Sequence, residues 1–214
     1  MAGRRRIGAR TVRIASWAIV ALPAALLGEQ AIRDGLGANP VETITHSTGI
    51  WALRLLVASL AVTPLRRLGL AALAPARRVL GLGAFGWASA HFATYLTLDL
   101  GFDFGFLGED VLERPYITVG FAALALLSVL AVTSTRGWQK RLGRRWTLLH
   151  RGVYPAAVLA ALHFLWLVKA DLREPALYAG SIALLLGMRG AWALRSRAAR
   201  GRPGAAPAGR SSTA

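Results

Sequence analysis

Apolar residues gather into six runs, at positions 14–27, 46–63, 79–98, 115–133, 149–169 and 175–192, with short polar segments between them. A hydrocarbon core of about 30 Å takes roughly 20 residues of helix to cross, and five of the runs are close to that length. Backbone polar groups have no water to bond to inside lipid, so an unbranched apolar run of this kind crosses as a helix. The pattern predicts an all-α polytopic membrane protein, a bundle of six transmembrane helices. Prolines punctuate it. Pro64 is a natural stop for the second span, and Pro115 and Pro175 suit the first turns of the fourth and sixth. The first run is the shortest and follows several arginines, as in a cleaved leader. The residues before Gly28 are a poor cleavage site, so the run reads as a retained span.

The charged residues orient the bundle. All ten acidic residues lie in 28–45, 99–114 and 169–174, the loops after spans one, three and five. The arginine clusters lie before span one, in 65–78 and 134–148, and after span six. Positive loops stay in the cytoplasm, so both termini are expected there. This gives a basic cytoplasmic start at 1–13, a transmembrane domain at 14–192 and a cytoplasmic tail at 193–214. The tail is rich in Arg, Ala, Gly, Pro and Ser and is expected to be disordered.

Composition narrows the chemistry. The 214 residues are 55% hydrophobic, which fits a membrane protein better than a soluble core. The absence of cysteine excludes disulfides, thiolate-held iron–sulfur clusters and thioether-linked haem. The net charge of +16 is spread over separate loops, not gathered on one face, which argues for lipid headgroups and against nucleic acid. Gly81, Gly83 and Gly86 spell a dinucleotide fingerprint, but without the strand and soluble β–α–β unit that give it meaning. Small residues there suit close helix packing or a flat ring.

Four histidines remain, and their depths differ. Span five carries His150 and His163, thirteen residues and roughly 20 Å apart along a helix, one toward each face. A polar ring inside lipid is a functional-site candidate by default. On a straight helix the two rings would stand roughly 140° apart, so a distortion is expected at the intervening Pro155, able to turn both toward one cleft. His91 on span three has nearly the depth of His163, the arrangement a bis-imidazole haem needs between helices. His46, at the outer start of span two, is a third ligand, a propionate contact, a quinone partner or simply an interfacial residue. Arg54, eight residues further in, needs an anion; no span contains an acid, so a ligand carboxylate such as a haem propionate is expected.

Three stretches carry a family resemblance: NPVETITHSTG (39–49), RRVLGLGAFGWASAHFATYLTLDLG (77–101) and TSTRGWQKRLGRRWTLLHRGVYPAAVLAALHFLWLVK (133–169). Over residues 15–192 the chain resembles the MsrQ family, haem-binding membrane subunits of a bacterial periplasmic methionine-sulfoxide reductase system. More broadly it is similar to ferric-reductase and NADPH-oxidase membrane domains. The resemblance implies a six-helix cytochrome b of the inner membrane. Such a protein takes electrons from the quinone pool and passes them to a periplasmic molybdenum-cofactor (molybdopterin) reductase, which repairs oxidised methionines. It also implies bound FMN. The chain departs from the oxidase-like pattern at Arg78, where a second histidine would stand thirteen residues before His91; a second, inner haem on His150 is a possible addition that thus lacks an obvious partner ligand. The chain itself has no room for a sulfoxide-reducing site, since its outer loops are short. The alternatives are a stand-alone transmembrane ferric reductase and a non-redox transporter or scaffold.

Overall fold

The structure, a computed structural model, describes residues 8–33 and 35–200. Arg4, Arg5 and Arg6 of the basic start, and residues 201–214 of the expected disordered tail, lie outside the described residues. Among the described residues the chain forms helices and no strand. They are α1 (Ala9–Ile32), α2 (Pro40–Arg67), α3 (Ala76–Thr94), α4 (Phe104–Glu113), α5 (Pro115–Val132), α6 (Arg136–Leu142), α7 (Arg144–Leu149), α8 (Val153–Leu167) and α9 (Arg173–Arg200). Five stretches are long and apolar enough to cross a membrane: α1, α2, α5, the α7–α8 unit and α9. Helix α3 occupies the third expected span but is not among these five; Arg77, Arg78, His91 and three glycines lower its hydropathy.

The ends of the helices follow local chemistry. Asn39 caps α2 by accepting from the Glu42 amide at 3.2 Å, and Pro40 takes the first position, where no amide donor is needed. Helix α2 runs through Pro64 to Arg67, so that proline does not stop the helix. Asp103 caps α4 by accepting from the amides of Gly105 and Phe106. This helix lies inside the expected loop 99–114; its single apolar face is too short to read as a span. Span five is not one helix. A tight 3₁₀ turn at His150–Gly152 joins α7 to α8, just ahead of Pro155, where the sequence predicts a distortion. Helix α9 continues to Arg200, beyond the end of its apolar run.

Helix α2 is the centre of the packing. Half of its membrane window is buried, against 11–22% for the other four stretches. Its Leu55, Leu56 and Leu60 are almost fully enclosed, with Ala84 of α3 and Ala156 and Ala157 of α8 against them. Helix α3 packs along α2, α8 packs between α5 and α9, and α1 leans on α3. The Trp87 indole on α3 donates to the Val20 carbonyl of α1 at 2.9 Å. Beside it, a Cβ on Gly83 would come within 2.5 Å of a Val20 methyl. One glycine of the false nucleotide motif therefore sets a helix–helix approach.

That contact is testable. Gly83→Ala is expected to cost about 1–3 kcal/mol through overpacking, read as a lower thermal midpoint in detergent. Val20→Ala in the same protein should recover most of the loss. An unchanged midpoint in Gly83→Ala, or no recovery in the pair, would contradict the packing.

Candidate functional site

Imidazoles in an apolar interior need partners for their nitrogens, and the bundle supplies backbone carbonyls. His91 Nδ1 lies 2.9 Å from the Thr45 carbonyl of α2, and His163 Nδ1 lies 2.7 Å from the Tyr116 carbonyl of α5. A carbonyl oxygen only accepts, so each Nδ1 carries the proton and donates. Each Nε2 then keeps its lone pair, the form in which imidazole binds a metal. Neither Nε2 has a protein partner, and both keep access to the cleft.

The two rings face each other across helices α3 and α8, with centres 6.1 Å apart and planes at 74°. A metal between two imidazoles, with bonds of about 2 Å and roughly 1 Å from each Nε2 to its ring centre, puts the centres roughly 6 Å apart. The spacing fits a bis-imidazole site. Around the pair opens a cleft of ≈ 1280 Å³, large enough for a flat macrocycle.

Glycines make this approach possible, and the sequence reading passed over both of them. A Cβ on Gly120 would stand 2.6 Å from His163 Nδ1, and one on Gly49 would stand 3.1 Å from His91. Each glycine lies one turn beyond the carbonyl that anchors its histidine, on the same helix. The signal was present as a glycine four residues after Thr45 and after Tyr116. It has meaning only when the facing helix is known.

Helix α4 and its cap close one end of the cleft with Asp103, Phe106, Leu107 and Asp110. The Tyr95 hydroxyl donates to Asp110 at 2.5 Å, and the Arg114 guanidinium pairs with the same carboxylate at 3.1 Å. At the rim, burial pushes the Asp99 carboxyl above its ordinary value.

The other candidate residues fall into different surroundings. His46 lines the cleft, with its Nε2 3.7 Å from Glu174. Arg54 does not line it. Its Nε donates to the Tyr178 hydroxyl at 2.9 Å, and its guanidinium lies 3.9 Å from Glu174. Beside the expected ligand anion, Arg54 has a protein carboxylate within reach: the start of α9 packs next to α2 and brings Glu174 to it. His150 does not join the cleft either. It lines a separate cavity at the opposite end of the bundle, stacked on Trp146 with ring centres 4.0 Å apart. Its Nε2 is 3.2 Å from the Thr133 hydroxyl, whose own proton goes to the Val129 carbonyl at 2.6 Å. The hydroxyl accepts, so His150 Nε2 holds the proton in this ligand-free arrangement. The turn ahead of Pro155 leaves His150 and His163 in two cavities, not one.

Residues 48–161 match the family described as the ferric reductase like transmembrane component. Three curated relatives share the name protein-methionine-sulfoxide reductase heme-binding subunit MsrQ. The one from Xanthomonas oryzae pv. oryzae is 55% identical over 192 residues, covering 85% of this chain and 88% of that protein. The one from Xanthomonas axonopodis pv. citri is 57% identical over 174 residues, covering 78% and 80%. The one from Rhodospirillum rubrum is 48% identical over 206 residues, covering 95% of each. No solved structure matches the chain.

The hydrogen bonds predict a tautomer pattern. In ligand-free protein at neutral pH, ¹⁵N spectra of labelled histidines should show His91 and His163 protonated at Nδ1 and His150 at Nε2. Nε2 protonation at His91 or His163 would contradict the carbonyl anchors.

Proposed function

The chain belongs to the ferric-reductase-like transmembrane family and, within it, to the MsrQ heme-binding subunits, and on that premise we propose that it is a b-type cytochrome relaying electrons across the bacterial inner membrane. The observation that carries this reading is the His91–His163 pair. Two imidazoles on different helices, with anchored Nδ1–H groups, open Nε2 atoms and centres 6.1 Å apart, would hold the iron of one haem. With no cysteine to form a thioether, that haem is held without a covalent link.

Bound there, haem supplies one-electron chemistry. The chain's own residues position it and keep its surroundings dry. Thr45 and Tyr116 fix the two imidazoles through their carbonyls, Gly49 and Gly120 make room for the rings, and α4 closes the outer end. With α3 counted as a crossing, the bundle has six spans and both termini in the cytoplasm. The site then lies in the outer half, near the acidic loops. Electrons enter from the quinone pool and leave to a periplasmic molybdenum-cofactor reductase. The stoichiometry closes: a quinol releases two electrons and two protons, and a methionine sulfoxide takes up two of each to give the thioether and water. FMN comes with the family resemblance, and no step of this route uses it.

A second reading, a stand-alone ferric reductase acting on extracytoplasmic ferric ions, draws support from the family match over residues 48–161. The same haem pair would serve it.

His91→Ala and His163→Ala are each expected to abolish the low-spin haem spectrum of the purified protein, and His46→Ala to leave most of it. Equal loss in all three would refute the assigned pair. Acid–acetone should extract all of the haem.

The route is tested by stopped flow. Protein reduced with a quinol analogue should be reoxidised by the soluble reductase in the presence of a methionine sulfoxide, and the isolated subunit should reduce no sulfoxide. Reoxidation by ferric chelate with no response to the reductase would favour the second reading and sink the relay.

A further inference from the structure

Helix α4, at one end of the cleft between His91 and His163, presents three different faces. Phe106, Leu107 and Asp110 line the cleft. Phe104, Gly108 and Leu112 recur at every fourth position and form a second, outward stripe, in which Phe104 is 66% and Leu112 86% exposed. Gly105, Glu109 and Glu113 form the next stripe, also exposed and acidic at two of its three positions. No residue of α4 is buried.

Water is an unfavourable neighbour for the apolar stripe, and the chain shows what lies beside it instead. A single residue, Arg114, separates α4 from α5, which opens at Pro115. Helix α5 has the highest mean hydropathy of the five candidate spans, 2.1, and only 11% of its window is buried in the protein, so most of its surface faces lipid. At its other end α4 is reached from α3 through a π-helical turn at Tyr95–Asp99, followed by Gly101 and Phe102, both at positive φ. Phe102, at φ 66°, is the one non-glycine residue in that region among the described residues, and it keeps an exposed ring two positions ahead of Phe104. The chain thus leaves one span, makes α4 and enters the next within one residue, which sets α4 at the membrane boundary. An amphipathic helix there lies along the headgroup region, its apolar face toward the acyl chains and its charges in water.

Side chains tie the inner face to the bundle. The Tyr95 hydroxyl donates to Asp110 at 2.5 Å, Arg114 pairs with the same carboxylate, and the Thr118 hydroxyl of α5 donates to the Val111 carbonyl. A helix without buried residues, held by a few such bonds, opens more readily than a packed one.

We propose that α4 is a lid on the cleft whose partner is the lipid surface: the Phe104–Gly108–Leu112 stripe seats it on the headgroups, and Tyr95 and Asp110 latch it shut. Its service as a cover for haem rests on the haem reading above.

The chain has no cysteine, so single labels can be placed cleanly. Full-length Phe104→Cys, Leu112→Cys, Glu109→Cys and Glu113→Cys are each labelled with the fluorophore NBD in phosphatidylcholine nanodiscs. Labels at 104 and 112 should be quenched by nitroxide-bearing phosphatidylcholine, as a label on Val129→Cys is, and shielded from aqueous iodide. Labels at 109 and 113 should show the reverse. Iodide quenching at 104 and 112 equal to that at 109 and 113 would mean a face open to a soluble protein and overturns the proposal, as does lipid quenching at all four positions. The latch is tested in Tyr95→Cys/Asp110→Cys, bridged by a short bismaleimide with a reducible centre. Haem transfer to apomyoglobin should be about tenfold slower with the bridge intact than after its reduction, because the tether keeps the closed state at high effective concentration. A merely structural role for the pair predicts equal rates. If this variant does not accumulate, Val111→Cys/Thr118→Cys spans the same seam. Equal rates with haem in place overturn the lid and leave the relay standing; absence of haem sinks the relay and the haem cover together.

Discussion

An imidazole buried among apolar helices carries a donor and an acceptor that lipid cannot satisfy, and each unmet polar group is costly. In this bundle the donors of His91 and His163 are met by the carbonyls of Thr45 and Tyr116. Both carbonyls belong to membrane-crossing helices, where a carbonyl already serves the next turn and uses its second lone pair for the ring. Much else in the architecture serves these two bonds. Helix α2 must lie against α3 and α5 against α8, close enough for a ring to touch a backbone. That closeness requires no side chain at Gly49 and Gly120. The enclosed core of Leu55, Leu56 and Leu60 holds α2 at that distance.

The two ends of the bundle differ in kind. At one end carboxylates meet the polar side chains: Glu174 lies beside both His46 and Arg54, and Asp110 pairs with Arg114 and accepts from the Tyr95 hydroxyl. At the other end, among the described residues, Arg77, Arg78 and Arg151 line the cavity beside His150 and no ion pair reaches them. The two cavities thus differ in their surroundings: carboxylates rim the cleft between His91 and His163, and arginines line the cavity beside His150. The proline-associated turn at His150–Gly152 separates them, with one histidine of the fifth span left to each.

Much of this was legible in the sequence. Long apolar runs fix helices because lipid permits little else, and His91 and His163 could be paired from depth alone. Other features depend on neighbours that a linear reading does not contain. Arg54 was assigned a ligand anion because no span holds an acid. The approach of α9 to α2, which brings Glu174 near it, is a matter of packing. Gly49 and Gly120 look like ordinary small residues until their facing helices are known. Helix α4 is a short amphipathic helix of nearly three turns within a stretch that reads as a loop, and its cap at Asp103 was hidden among other acids. Pro64 failed as a stop because the carbonyl that its missing amide leaves free, that of Leu60, accepts from the Arg189 guanidinium, and the basic Arg66 and Arg67 that follow favour a helix end.

Near-infrared magnetic circular dichroism of the oxidised, haem-loaded protein reads the ligands of the iron directly. Ligation by His91 and His163 predicts the low-spin charge-transfer band of a bis-imidazole haem, with one haem per chain. A high-spin spectrum, or a band belonging to any ligand other than two imidazoles, would contradict it.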